Sequence, residues 1–154
     1  MKRTALFSLF ILLLTIILPA CKEDVYMDWK IQNEKWLEIH KNDSGFQTTA
    51  SGLSYKVIHQ GYFLPKPTAN SYVVTAYKGQ LIDGSTFDSS TKYGNYVSRF
   101  VAGFQEGLKK MNVGGSYILY IPYKLGYDTI STNASIPPYS TLIFEVDLTN
   151  VYNQ

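Results

Sequence analysis

The stretch Val101 to Met111, VAGFQEGLKKM, contains the pattern that decides the fold. Its residues Phe104, Leu108 and Met111 recur at positions i, i+4 and i+7, so they line one side of a short helix, and that side has to be buried. Three segments around it alternate as strands do: Tyr72 to Lys78, Ser116 to Ile121 and Thr141 to Val151. We therefore predict an α+β domain in which one antiparallel sheet curls around one helix.

The first 20 residues have the order of a secretory signal. Lys2 and Arg3 precede the apolar run Ala5 to Leu18, which is too short to span a bilayer comfortably. The run ends in Leu-Pro-Ala-Cys, and a small residue directly before the single cysteine, Cys21, resembles the signal of bacterial lipoproteins. We predict a signal peptide over 1–20 and lipidation of Cys21. A free thiol left near the end of the signal is the alternative.

The charge balance argues against two classes of partner. Removal of residues 1–20 takes away Lys2 and Arg3 and no acidic residue, so 14 basic residues become 12 and equal the 12 acidic ones. Nucleic acid and acidic lipid both require an excess of Lys and Arg on one face, so neither is predicted as a partner. The link to the membrane would depend on the N-terminal lipid alone.

The residues after the cysteine bear on location. Lys22-Glu23-Asp24 resembles the signal that sends some lipoproteins to the outer face of the outer membrane, although any solvated tether has such residues. We predict a lipid-anchored protein of the cell envelope, held at the outer membrane on its periplasmic or surface face.

Neither a metal site nor a cofactor is predicted. A lone cysteine rules out an internal disulfide framework and a cysteine-based zinc site. His40 and His59 stand without the cysteine or carboxylate spacing of a ligand set. The chain also lacks a glycine loop that could cradle phosphates.

The chain divides into three parts. Val25 to His40 has helical character, and Trp29 and Trp36, seven residues apart, share a face. That face could dock a partner or form a homodimer, but we favour packing against its own domain. Asn42 to Ser51 is rich in turn-forming residues and is interpreted as a linker. We expect a signal peptide over 1–20, a lipidated tether with helix and linker over 21–51, and the folded domain over 52–154.

Turn signals separate the strands of that domain. A first strand around Leu53 to Val57 ends at Gly61, and Tyr62 to Asn70, with its two prolines, is predicted to be a loop. Leu81-Ile82-Asp83-Gly84 closes a hairpin, because Asp-Gly tolerates the positive φ of a tight turn.

Six blocks of sequence carry a family resemblance. In order they are Tyr77-Lys78-Gly79, DGSTFDSS at Asp83 to Ser90, GFQEGL at Gly103 to Leu108, Met111 to Gly114, Ile121 to Tyr127, and Ile136 to Val146. Together they resemble the FKBP-type peptidyl-prolyl cis/trans isomerases over roughly residues 52–151. SGLSY at Ser51 to Tyr55 resembles the entry to the domain in the lipoprotein and macrophage-infectivity-potentiator branch.

The resemblance implies a half-barrel sheet around the helix, with an apolar pocket for a prolyl ring between them. It also implies isomerisation of X-Pro bonds in extracytoplasmic proteins, with no cofactor, and macrolides of the rapamycin type as candidate inhibitors. The family's pocket positions fall on Tyr77, Phe87, Asp88, Val101, Phe104, Tyr127, Ile136 and Phe144.

The resemblance further assigns roles to some of these residues. The N–H of Val101 and the hydroxyl of Tyr127 would hold substrate carbonyl groups, and Phe104 would form the pocket floor. Asp88 would contact the rotating carbonyl or orient Tyr77.

The chain departs from the family between Phe87 and the helix, where the interval is shorter than in typical members. That interval normally supplies a bulged strand and one pocket wall. We predict that Tyr96 supplies the aromatic side chain usually found there, with Tyr93 nearby. Phe104 stands where Trp is common, and Asp128 stands where glycine is usual.

These departures leave two alternatives open. One is a lipid-anchored chaperone or binding module on the same fold, with little isomerase activity. The other is a surface lipoprotein whose exposed tyrosines, Tyr93 and Tyr96, stack on glycans.

Overall fold

The computed structural model describes residues 22–62, 66–130 and 135–153, with side chains from Tyr26 onward. The predicted signal peptide and Cys21 lie outside the described residues. The helices are α1 (Lys22–His40) and α2 (Ala102–Lys110), and the strands are β1 (Phe46–Thr48), β2 (Ser54–His59), β3 (Tyr72–Gln80), β4 (Thr86–Tyr96), β5 (Ser116–Ile121) and β6 (Leu142–Tyr152). Short 3₁₀ turns cover Val97–Arg99 and Tyr123–Leu125. Within the described ranges, no helix has the length and apolar character needed to cross a membrane.

The strands form one sheet in the order β1-β2-β5-β6-β3-β4, and every pair is antiparallel. The hairpin between β3 and β4 turns where it was predicted, because Gly84 takes a φ of 84° and the Asp83 carboxylate accepts the Ser85 N–H at 2.9 Å. The predicted α+β architecture, an antiparallel sheet with one short helix in its concave face, is confirmed.

Helix α2 lies unusually close to the sheet because two of its residues have no side chain. A Cβ atom at Gly103 would stand 2.4 Å from Ile121 Cγ2, and one at Gly107 would stand 2.4 Å from Leu119 Cδ1. One helical turn therefore rests directly on β5. Phe104 and Leu108 beside these glycines are 2% and 0% exposed, so the apolar side predicted from the sequence is the core.

The sheet begins earlier in the chain than predicted. Phe46–Thr48, inside the segment interpreted as a linker, forms β1 and pairs with β2, with Phe46 opposite Lys56. The Phe46 ring packs 4.4 Å from that of Tyr120, and glycines with positive φ, Gly45 and Gly52, lie on either side of the strand. The sequence does not reveal this strand, because three residues are too few to show an alternation and turn-forming residues surround them.

Helix α1 packs against its own domain through the face that carries both tryptophans. Trp29 Nε1 donates to Ser140 Oγ at 2.9 Å, and the Trp36 ring lies 5.7 Å from that of Tyr120. Between them Asn33 is fully buried. This arrangement supports the intramolecular interpretation of the helix. The homodimer stays a prediction.

Candidate active site

A pocket of about 210 Å³ opens where the N-terminal end of α2 meets strands β3, β4 and β6. Most of its wall is aromatic. The lining residues are Tyr77, Asp88, Tyr93, Asn95, Arg99, Phe100, Val101, Phe104, Tyr127 and Phe144.

Phe104 is the centre of this aromatic wall. The Phe100 ring stacks on it at 4.7 Å, and the rings of Phe144 and Tyr77 meet it edge-on at 5.0 and 6.2 Å. Edge-to-face contacts at these distances are the favoured geometry for aromatic pairs, so the rings hold one another in place. The result is a preformed apolar surface large enough for a small ring.

The Phe144 ring of this aromatic surface and the Phe87 ring behind it have room because Gly79 has no side chain. A Cβ atom there would come within 2.6 Å of the Phe87 ring and 2.8 Å of the Phe144 ring. Phe144 in β6 lies opposite Gly79 in β3, and the Phe87 ring meets the Phe144 ring edge-on at 5.3 Å. Phe87 therefore supports the wall from behind and does not line the pocket.

The two polar side chains on the inner wall are joined to each other. Asp88 pairs with Gly79 across the β3–β4 ladder, which puts its carboxylate on the same face as Tyr77. The Tyr77 hydroxyl donates to Asp88 Oδ2 at 2.8 Å. Burial, and then this bond, raise the pKa of Tyr77 well above its ordinary value, so the phenol stays protonated at neutral pH.

Beside the aromatic wall lie two hydrogen-bond donors that have no partner among the residues that the structure describes. One is the hydroxyl of Tyr127, whose pKa is raised by burial and by the nearby Asp88. The other is the backbone N–H of Val101, the residue that caps α2 at its N-terminal end. Both can donate to a carbonyl group placed against the aromatic wall.

The comparisons with known proteins agree with this geometry. A model of the family described as FKBP-type peptidyl-prolyl cis-trans isomerase matches residues 65–149. The chain belongs to the FKBP-type peptidyl-prolyl cis-trans isomerase family.

Individual members of the family support the assignment. The FKBP-type 22 kDa peptidyl-prolyl cis-trans isomerase of Escherichia coli K12 is 40% identical over 121 residues, which cover 76% of this chain and 58% of the relative. The outer membrane protein MIP of Legionella longbeachae is 35% identical over 79% of this chain and 54% of its own length. The chain thus spans little more than half of these curated relatives. The crystal structure of FkpA from Escherichia coli superposes with a TM-score of 0.79 at 34% identity, covering 84% of this chain and 62% of that one.

Six of the site residues predicted from the FKBP resemblance line the pocket. They are Tyr77, Asp88, Val101, Phe104, Tyr127 and Phe144. Their roles toward a substrate stay predictions. Ile136, also predicted to bind substrate, is 3% exposed and belongs to the apolar core, and it is not among the lining residues.

The structure places Tyr93, and not Tyr96, in the wall of this FKBP pocket. Tyr77 pairs with Ser90, but Thr75 pairs with Tyr93, so β4 carries one residue more than β3 between these pairs. Such a bulge reverses which of the following residues face inward.

The rings of the two tyrosines confirm that register. Tyr93 meets Tyr77 and Phe100 edge-on at 5.8 and 6.0 Å, whereas Tyr96 lies opposite Tyr72 on the outer face with ring centroids 5.3 Å apart. A uniform alternation along β4 would have turned Tyr96 inward and Tyr93 outward. Because Tyr93 and Tyr96 face opposite sides, they cannot form one glycan platform.

Three further pocket residues were missed by the sequence analysis: Asn95, Arg99 and Phe100. Asn95 and Arg99 are ordinary surface residue types. Phe100 carried a signal, since it is four residues before Phe104 and could have been expected to stack on it. Asp128, at the position where glycine is usual in FKBPs, takes a φ of 56°, which is a left-handed conformation that glycine adopts readily.

Proposed function

We propose that this protein is a peptidyl-prolyl cis/trans isomerase that acts on X-Pro bonds of extracytoplasmic proteins by non-covalent catalysis. The observation that carries the proposal is an aromatic pocket, in a chain of the FKBP family, beside two donors that have no partner in the described ranges: Tyr127 Oη and Val101 N.

The chemistry of the reaction suits such a pocket. An X-Pro bond rotates over a barrier of about 18–20 kcal/mol because the amide must lose its planarity. An apolar pocket disfavours the planar, charge-separated form of the amide, and the ring stack around Phe104 can hold the prolyl ring while the preceding carbonyl swings. A 10⁶-fold acceleration requires about 8 kcal/mol of transition-state stabilisation, which several weak contacts can supply together.

Each polar group has a role in this scheme. Val101 N–H and the Tyr127 hydroxyl donate to substrate carbonyl groups. Asp88 holds the Tyr77 hydroxyl, and with it the orientation of the Tyr77 ring against Phe104. Phe104 offers a smaller face than Trp but keeps the aromatic floor.

The envelope location is proposed on separate grounds. The apolar run before Leu-Pro-Ala-Cys supports lipidation of Cys21 and attachment to the outer membrane, and one relative is named an outer membrane protein. Mass spectrometry of the purified protein would detect acyl groups on Cys21. An unmodified thiol on Cys21 would contradict the anchor without affecting the isomerase proposal.

The test of the activity is cis/trans exchange of a short Leu-Pro or Phe-Pro peptide, followed by NMR with purified protein in detergent. We expect exchange much faster than the uncatalysed 10–100 s, and inhibition by a rapamycin-type macrolide. A folded protein that accelerates nothing but still binds the peptide would be the binding module, and the isomerase proposal would then be abandoned.

A further inference from the structure

The rim of the pocket carries two polar side chains, Arg99 and Tyr93, that the isomerase scheme does not use. Tyr93 lies near the end of β4, and Arg99 lies in the short 3₁₀ turn between β4 and α2. Their surroundings show what kind of group could bind there.

Arg99 is exposed, but the residue that follows it, Phe100, is fixed to the pocket. The Phe100 N–H donates to the Val97 carbonyl at 3.2 Å, and the Phe100 carbonyl accepts from Gln105 Nε2 at 2.7 Å. The Phe100 ring is stacked on Phe104. In the part of the chain that the structure describes, the guanidinium group of Arg99 has no acidic partner and no hydrogen bond. A cation thus stands at the rim, next to a fixed backbone, and its five donors have no partner within the described residues.

Tyr93 presents a second donor, whose proton is not directed at Asn95. Asn95 Oδ1 accepts the Tyr96 N–H at 2.9 Å, so the other amide atom, Nδ2, is the donor to the Tyr93 oxygen at 3.1 Å. The phenol oxygen therefore receives a hydrogen bond from Asn95, and its own proton is directed elsewhere. Among the described residues no acceptor takes that proton.

The one acidic residue in the lining is already engaged on the inner wall. The Asp88 carboxylate accepts the Tyr77 hydroxyl, and it forms no ion pair with Arg99 within the described residues. Among the described residues the rim therefore offers positive charge and two kinds of donor, and the Asn95 Oδ1 acceptor beside them is already taken by the Tyr96 N–H. A carboxylate complements this set, because a guanidinium group and a hydroxyl can both donate to its oxygens.

We propose that Arg99 and Tyr93 form a carboxylate subsite, through which the enzyme favours substrates that carry an acidic residue directly beside the proline. The proposal rests on the proposed isomerase function, since the subsite borders the same pocket. Because Arg99 is exposed, the preference is modest, roughly two- to fivefold, and it weakens as salt is added.

The experiment compares isosteric peptides. Exchange rates are measured by NMR for Glu-Pro against Gln-Pro, and for Pro-Glu against Pro-Gln, each corrected for its uncatalysed rate. We expect kcat/KM to favour the Glu peptide in at least one of the two pairs at low salt. In the Arg99→Gln variant the ratio should fall to about one, and in Arg99→Glu it should invert. Tyr93→Phe should reduce it in part.

The matched control is Lys109→Gln, which removes the same charge from an exposed position in the last turn of α2, outside the pocket lining. It should keep the wild-type ratio. A ratio that falls equally in Lys109→Gln and Arg99→Gln would mean a general charge effect and would overturn the subsite. Equal kcat/KM for Glu and Gln in both wild-type pairs would also overturn it, while the isomerase function would stand.

A second readout separates the two proposals. If no peptide is isomerised, the proposed function fails, and NMR titration then compares the Kd values of the same peptides. Tighter binding of the Glu peptide that disappears in Arg99→Gln would support the subsite on its own. Equal Kd values would overturn it.

Discussion

The side chain of Asn33 in α1 accepts the backbone N–H of Thr141, just before β6, at 2.7 Å, and both residues are fully buried. Asn33 Nδ2 donates in turn to the Trp29 carbonyl at 2.8 Å, one turn earlier in the same helix. A single amide therefore links the N-terminal helix to the strand that carries Phe144. Together with the bond from Trp29 to Ser140, it holds α1 on the domain.

Replacing Asn33 by Leu should destabilise the protein by about 1–3 kcal/mol, because the Thr141 N–H would stay buried without an acceptor. Urea denaturation followed by tryptophan fluorescence measures the loss. The control is Gln32→Leu at the exposed neighbouring position, which should change the free energy of unfolding by about 0.5 kcal/mol or less. Equal effects of the two substitutions would mean that the buried bond contributes nothing specific.

Replacing Gly79 by Ala should cost about 1–3 kcal/mol of stability and lower isomerase turnover, because the new methyl group would displace the rings of Phe87 and Phe144. Thermal unfolding and NMR exchange give the two readouts. The double variant Gly79→Ala with Phe87→Leu makes room for the methyl group and should recover part of the loss. Strictly additive losses in the double variant would contradict the steric explanation.

Replacing Tyr127 by Phe should lower kcat/KM roughly two- to tenfold, the effect of losing one hydrogen bond of about 0.5–1.5 kcal/mol to the substrate. Stability should hardly change, because the Tyr127 hydroxyl has no partner within the described part of the chain. Tyr152→Phe, an exposed tyrosine on the outer face, serves as the control. Unchanged turnover in Tyr127→Phe would remove this hydroxyl from the mechanism.

Replacing Tyr93 by Leu should raise KM for a short Phe-Pro peptide, because the pocket would lose an aromatic wall. Tyr96→Leu should leave KM close to the wild-type value, because that ring packs on Tyr72 at the outer face. The reverse result would restore Tyr96 as the pocket residue and would show that the bulge in β4 does not form in solution.

Turnover should stay constant from about pH 6 to about pH 9.5, because the phenol of Tyr127 donates only while it is protonated. Burial, and then the fields of Asp88 and Tyr93, raise the pKa of Tyr127 above the ordinary value of about 10. The donor is therefore present below that ordinary value and is lost only as the pH rises through the raised pKa. An activity loss with a midpoint below pH 9 that is absent in Tyr127→Phe would contradict this environment.

Much of the architecture could be predicted from short-range patterns. The spacing of Phe104, Leu108 and Met111 determined the core helix, and Asp83-Gly84 determined the hairpin, because helical periodicity and turn chemistry act over a few residues. The ordered blocks from Tyr77 to Phe144 determined the family and six of the pocket residues.

Only the tertiary structure decided the contents of the pocket rim and the place of α1. The extra residue in β4 turns Tyr93 inward and Tyr96 outward, and that register follows from pairing with β3 along the whole hairpin. The strand at Phe46 exists because β2 provides an edge, and Asn33 is a core residue because Thr141, 108 positions away, needs an acceptor. Such outcomes depend on contacts between distant segments, which no local pattern in the sequence records.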